Sequence, residues 1–384
     1  MKKQRYLLHA ILFLITLLTT CLAGTEWVTA RQWLMSDAEG NLTIGLGLSD
    51  LAEGLTYSFA FLSFLTFHEF GHYFLALYHN VRCSLPYYIP VFIPGFFNIG
   101  SFGAVIRMRE VPTTTKKFFD IGIAGPLAGF VVSVCLLVYG FLTLPPLDEK
   151  VLGLHPEYQA EFGGVPTEEQ LIEAYSSSGA LYGIGTSLMF EFFKITIAPD
   201  PSQVPPPFEL MHYPFLFVGF ITLFFTALNL LPIGQLDGGH VIYGLFGRKI
   251  AGIVSRVAVV FLVLAGGAGV VDFESKDSII PSLIFTAFLI FVYSRMFPRM
   301  QAWKVGLAAL LTIAAEGGIF FFVPTSAPSL IWLIYSFIAV RFLGVDHPPA
   351  LVEHKLDGKR RILGWLAVVI FILCFTPNPL FTYP

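Results

Sequence analysis

His68, Glu69 and His72 stand in the order H-E-x-x-H inside the apolar stretch FLTFHEFGHYFLALY, residues 64–78. On a helix, positions i and i+4 lie one turn apart on the same face. Two imidazoles can therefore be presented to one metal ion, and Glu69 can reach a water beside it. That is the side-chain chemistry of a zinc-dependent peptidase. In a soluble chain the same short pattern also arises as two helix-face histidines and a solvated glutamate. Here there is little water to solvate Glu69, and three ionisable groups in a lipid-length apolar helix are costly to keep without a role.

A catalytic zinc ion needs a third protein ligand besides its water. The best-placed acid is Asp237, in the stretch NLLPIGQLDGGH at 229–240. Pro232 is expected to break the preceding helix, and Gly238 and Gly239 to let the backbone turn sharply. An isolated carboxylate at membrane depth is costly, whereas one facing two neutral imidazoles and Zn²⁺ is neutralised. The alternative is a helix-terminating Asp-Gly turn at the interface.

HEFGH at 68–72 followed by NLLPIGQLDGGH at 229–240 resembles the site-2 protease family, the M50-type intramembrane zinc metalloproteases. GSFGAVIRM at 100–108 resembles that family's membrane-re-entrant strand region, and GIAGPLAG at 122–129 its third-span motif. The resemblance covers about residues 54–245. It implies one Zn²⁺ per chain held by His68, His72 and Asp237, with Glu69 as the catalytic acid/base. It also implies that Asn229, in the N-x-x-P-x-x-x-L-D-G pattern, contacts substrate or transition state. A transmembrane protein would be the substrate, cut in regulated intramembrane proteolysis. The 145–207 segment is too short for a typical PDZ domain.

The elements that must position these residues follow from composition. The 384 residues are 55% hydrophobic and only 13% charged, with 40 Phe and a mean hydropathy of +0.72. Soluble domains carry about 25% charged residues, so the chain reads as an all-α polytopic membrane protein in a lipid bilayer. A net charge of −3 argues against a nucleic-acid partner. The four cysteines are scattered without a C-x-x-C pair and give neither a disulfide framework nor a cysteine zinc site.

Nine spans are expected, at about 6–23, 54–78, 119–144, 208–231, 250–271, 279–295, 304–323, 329–343 and 362–376. The first is read as a retained helix rather than a cleaved signal. Residues 84–110, broken by Pro86, Pro90 and Pro94, cannot form one helix. Ser101 to Met108 reads as a short strand or hairpin dipping into the protein near the site. Its edge, around Phe102 and Gly103, is a candidate holder of unwound substrate by β-augmentation. Thr167 and Gln170 are spaced as a capping box. Three regions result: residues 1–53 with the first span and an extracytoplasmic loop; 54–249 as the catalytic core; and 250–384 as a bundle of about five spans. With the N-terminus cytoplasmic, all 23 Lys and Arg fall on inner segments except Arg31, Lys150, Lys194 and Lys276, as the positive-inside rule requires. His68 then lies about 14 residues, ~21 Å, along the second span, below the lipid surface and nearer the cytoplasmic face. The MKKQR start suggests a bacterial inner membrane.

Other ionisable residues carry less. Glu316 sits mid-span without a motif. His240 is either a partner of the site or simply a helix residue. His9, His79, His212 and His347 fall near membrane interfaces with no metal-ligand spacing. Rival readings are a prenyl-protein processing peptidase, which would need a downstream Glu ligand, a membrane-embedded metal-ion transporter, and a non-catalytic zinc-binding scaffold. The sequence carries no mark of an oligomeric state.

Overall fold

The computed structural model describes residues 5–36, 41–94, 98–175, 182–271, 279–322 and 329–382. Residues 95–97 of the expected re-entrant segment lie outside that set. The chain runs α1 (Tyr6–Thr29), a hairpin β1 (Leu34–Ser36) and β2 (Leu42–Ile44), α2 (Leu51–Tyr78), a hairpin β3 (Tyr87–Pro90) and β4 (Ser101–Val105), and α3 (Thr115–Leu142). Short helices follow: α4 (Leu147–Leu154), α5 (Pro156–Glu161) and α6 (Glu168–Tyr175). After them come β5 (Tyr182–Ile184), α7 (Leu188–Thr196), α8 (Pro214–Leu230) and α9 (Asp237–Gly267). The last part comprises α10 (Ile279–Met296), α11 (Ala302–Phe322), α12 (Leu330–Ile338) with a π turn, α13 (Gly358–Cys374) and β6 (Leu380–Thr382).

Among the described residues four helices are long and apolar enough to cross a bilayer: α1, α3, α9 and α10. The nine expected spans are thus met in part among the described residues. α8 is an apolar helix of 17 residues, about 25 Å at 1.5 Å per residue, short of the ~30 Å hydrocarbon. α12 is shorter still at 9 residues. α2, at 28 residues, is long enough but carries Glu53, His68, Glu69 and His72, which lower its hydropathy.

Two apolar cores hold the helices. The larger joins α2, α3 and α8 through Tyr57, Phe61, Phe64, Phe119, Leu137 and Phe217, and α13 adds Ala367, Ile370 and Cys374 to it. The second joins α9, α10 and α12 through Leu262, Val263, Phe285, Leu289 and Trp332. α3 starts at a Thr114 cap that accepts the Lys117 N–H at 3.3 Å, a usual way to satisfy an orphan donor. The capping box at the start of α6 forms in both directions: Thr167 N–H to Gln170 and Gln170 N–H to Thr167. β5 pairs with β6 from the far end of the chain, Tyr182 opposite Thr382.

The segment after α2 is a hairpin, as its prolines and glycines suggest. Tyr87 faces Val105 and Pro90 faces Ser101, with a bulge between Tyr88 and Pro90. It is tied to its neighbours by polar groups. Tyr88 and Thr66 hydroxyls lie 2.8 Å apart, Tyr57 donates to the Ile99 carbonyl at 3.1 Å, and Trp27 donates to the Asn98 carbonyl at 2.9 Å. The last two bonds satisfy carbonyls of this irregular backbone.

Candidate metal centre

His68, Glu69 and His72 lie near the C-terminal end of α2, and all three are buried. α2 meets α3 where side chains are smallest. A Cβ on Gly71 would sit 2.6 Å from the Ala124 carbonyl oxygen, and one on Gly125 would overlap His72 Nε2. The 122–129 stretch is therefore the floor on which the two imidazoles rest, a helix approach that only small residues permit.

Asp237 arrives from the other side. α8 stops at Leu230, and α9 begins at Asp237. The tight link between them turns at Gly234, with φ +48. Gly238 and Gly239 were expected to make that turn, yet both are helical. Their role is to let two segments touch: a Cβ on Gly238 would overlap the Leu230 carbonyl oxygen, and one on Gly239 the Gly234 carbonyl oxygen. Asp237 is thus a helix-initiating residue, not part of a helix-ending turn. Acidic residues suit that end of a helix dipole. The chain breaks again at Gly247 (φ +77, ψ 173) inside α9.

Gly234→Ala and Gly247→Ala both force a left-handed φ on a residue with a side chain. Only at 234 does the new Cβ meet backbone, the Gly344 carbonyl oxygen; at 247 the space is open. Thermal unfolding in detergent is expected to show a clearly lower midpoint for Gly234→Ala than for Gly247→Ala. Equal midpoints would remove Gly234 as the pivot that aims Asp237.

The three groups form a triangle. The Nε2 atoms of His68 and His72 are 3.1 Å apart, and Asp237 Oδ2 lies 3.6 Å and 3.3 Å from them. Donors about 2.0–2.1 Å from a tetrahedral zinc stand about 3.3 Å from one another. His72 Nδ1 lies 2.7 Å from the Ile121 carbonyl oxygen. A carbonyl only accepts, so Nδ1 carries the proton and the Nε2 lone pair faces the triangle. The residues present therefore fit a tetrahedral divalent ion with one position left open. Glu69 stands outside the triangle, with the Ile106 backbone, just beyond β4, beside its carboxylate.

Of the other residues singled out from sequence, Asn229 is half-buried on the last turn of α8. Phe102 is 75% exposed on β4, and Gly103 (φ +97) has open space where a Cβ would be. None of the three belongs to the triangle. His347, from the loop before α13, was expected to be an interfacial bystander. Its Nε2 instead lies 2.6 Å from His240 Nδ1, its ring stacks on Tyr243 at 4.0 Å, and its Nδ1 meets the Pro348 carbonyl. Burial pushes His347 down to about 4, so it is neutral at pH 7. It donates from Nδ1 and accepts the His240 proton at Nε2, fixing the His240 ring behind α3. No sequence spacing signals a contact across that distance. Glu316 is buried, and neither carboxylate oxygen has a hydrogen-bond partner among the described residues.

Comparison with known proteins places the chain in a family. The family model described as Peptidase family M50 matches residues 56–265, and the chain belongs to that family. The match runs from α2 into α9 and so contains every residue of the triangle. Among curated proteins, Probable zinc metalloprotease EGY1, chloroplastic, of Oryza sativa subsp. japonica is 28% identical over 50% of this chain and 28% of its own length. The protein of the same name from Arabidopsis thaliana is 27% identical over 51% of this chain and 30% of its own length. Probable zinc metalloprotease EGY2, chloroplastic, of Oryza sativa subsp. indica is 28% identical over 54% of this chain and 32% of its own length. The chain thus spans less than a third of the length of these relatives. No solved structure matches.

Proposed function

We propose that the chain is a zinc-dependent intramembrane endopeptidase of site-2 protease type, cutting a peptide bond within or near a transmembrane helix of another membrane protein. The observation that carries this reading is the buried triangle of His68, His72 and Asp237 with the Glu69 carboxylate beside it. His68, His72 and Asp237 hold the ion. When bound, Zn²⁺ supplies a Lewis acid at the scissile carbonyl and the attacking water. Glu69 takes a proton from that water on a carboxylate oxygen as the C–O bond forms, then returns it to the nitrogen as the C–N bond breaks. Asn229, on the last turn of α8, donates its amide N–H to the carbonyl oxygen as it gains charge.

A substrate helix hides its carbonyls in its own hydrogen bonds and has to unwind first. β4 belongs to a two-stranded sheet, and its outer edge offers the unwound segment a partner strand. Gly103, with no side chain in the way, lets that segment lie close, beside Phe102. The family supports a protein substrate in a membrane setting. On the nine-span reading, the distribution of Lys and Arg favours an N-terminus and a metal-bearing end on the cytoplasmic side; a bacterial inner membrane, residues 54–249 as the catalytic core and regulated intramembrane proteolysis as the process served are parts of the same proposal.

The test is zinc content and cleavage of a single-span model substrate by the full chain in detergent. Wild type is expected to cleave and to carry zinc. Asp237→Ala is expected to lose one zinc equivalent together with cleavage. A wild-type chain that binds no zinc would overturn the proposal.

A further inference from the structure

A second triangle stands at the other end of α8. His155 links α4 to α5, and Glu209 and His212 flank a single turn just before Pro214. Glu209 is 1% exposed and His212 5%; the His155 side chain is one-fifth exposed. The two Nε2 atoms are 3.4 Å apart. Glu209 Oε2 lies 3.9 Å from the first and 3.6 Å from the second. These edges match the His68–His72–Asp237 triangle closely and sit near the ~3.3 Å edge of a tetrahedral zinc site.

The hydrogen bonds around the cluster fix what faces its centre. His212 Nδ1 meets the Trp27 carbonyl, which can only accept, so the proton is on Nδ1. His155 Nδ1 lies 3.0 Å from a Glu157 carboxylate oxygen, again an acceptor. Both rings therefore turn an Nε2 lone pair inward, each steered from behind by a carbonyl or a carboxylate in the manner of metal-bound histidines. Glu209 Oε1 accepts from Tyr158 at 3.2 Å. Its Oε2 is fully buried and has no hydrogen-bond partner among the described residues. The separations of 3.6 Å and 3.9 Å are too long for hydrogen bonds from the imidazoles. Three atoms able to act as metal donors thus converge in a buried place, and the carboxylate oxygen among them has no hydrogen-bond partner among the described residues. A buried carboxylate oxygen without a partner is costly, and a cation at the centre of the three donors would satisfy it.

We propose that His155, Glu209 and His212 form a second divalent-cation site, distinct from the His68–His72–Asp237 centre, and that its ion is Zn²⁺. Two imidazoles and one carboxylate suit zinc among the first-row divalent ions. The two sites are separated by the length of α8, about 25 Å. The ion ties the 145–207 segment to the entry of α8, and through the His212–Trp27 bond to the end of α1. Its role is to brace the face of the bundle opposite the peptidase centre.

The site is tested by metal stoichiometry of the full chain in detergent, loaded with zinc and exchanged into metal-free buffer. Wild type is expected to hold two equivalents. His155→Ala and Glu209→Gln are each expected to hold one, and so is the His68→Ala/His72→Ala double variant. In that double variant Co²⁺ is expected to bind once and give the visible absorption of a tetrahedral site, a readout that does not depend on whether the His155 and Glu209 variants fold. Wild-type stoichiometry in both His155→Ala and Glu209→Gln overturns the proposal, as does a monodisperse His68→Ala/His72→Ala chain that binds neither zinc nor cobalt. Zinc lost from His155→Ala but retained in full by the double variant would sustain this site and sink the peptidase reading instead.

Discussion

Glu69→Gln is expected to abolish cleavage of a single-span substrate while leaving zinc content at the wild-type level. The side chain lies outside the triangle of His68, His72 and Asp237, so losing its charge removes no metal ligand. Glutamine has the same shape and keeps a carbonyl oxygen as a hydrogen-bond acceptor. What it cannot do is take a proton from water and pass it to the leaving nitrogen. General acid–base catalysis is worth typically about 10²–10⁴-fold. Here one group serves both steps, so a fall of about 10³-fold or more in kcat is the expected reading. A metal-ion transporter or a zinc-binding scaffold built on the same ligands would keep its activity in this variant. Cleavage at the wild-type rate by Glu69→Gln would therefore remove the assigned acid/base, and with it the reaction as written above.

The centre was legible in the sequence for a geometric reason. His68 and His72 are one helical turn apart, and periodicity alone puts them on one face. Asp237 was legible only as part of a pattern of neighbours, and its setting was misjudged. Gly238 and Gly239 invite a turn, but the turn belongs to Gly234, and the glycine pair serves close backbone contact inside α9. Four of the nine expected spans are long and apolar enough among the described residues, and α2 and α8 are not among them. α8 is short and α2 carries the ionisable residues, so neither meets the length and apolarity that mark α1 or α3. Contacts between residues distant in sequence left no trace: His240 with His347, β5 with β6, and His155 with His212. Glu209 and His212 do sit three apart, but they flank an irregular turn where helical spacing has no meaning. His155 gives a reader of the sequence no reason to look for it there.

Gly125→Ala is expected to remove the zinc equivalent of the first centre without unfolding the chain. Alanine favours a helix over glycine by about 0.8–1.0 kcal/mol in an exposed interior position, so α3 itself gains from the change. The loss arises across the interface. The added Cβ would occupy the place of His72 Nε2, the atom that faces the triangle. His72 cannot simply lean away, because its Nδ1 is held by the Ile121 carbonyl at 2.7 Å on the same helix as Gly125. Either that bond breaks and the ring rotates, or α2 and α3 part at Gly71, whose own contact with Ala124 is already close. Each route breaks the 3.1–3.6 Å spacing of the three donors. Gly129→Ala meets the Phe64 ring at 2.7 Å and His68 Nδ1 at 3.3 Å; the ring can shift, and a smaller loss of zinc is expected. Gly306→Ala, in α11 with open space around it, is the control and should keep wild-type zinc and cleavage. The measurement is zinc per chain alongside far-UV circular dichroism in detergent. A Gly125→Ala chain with full zinc and full cleavage would mean that α2 and α3 do not meet at His72, and that the centre is not assembled on the small residues of α3.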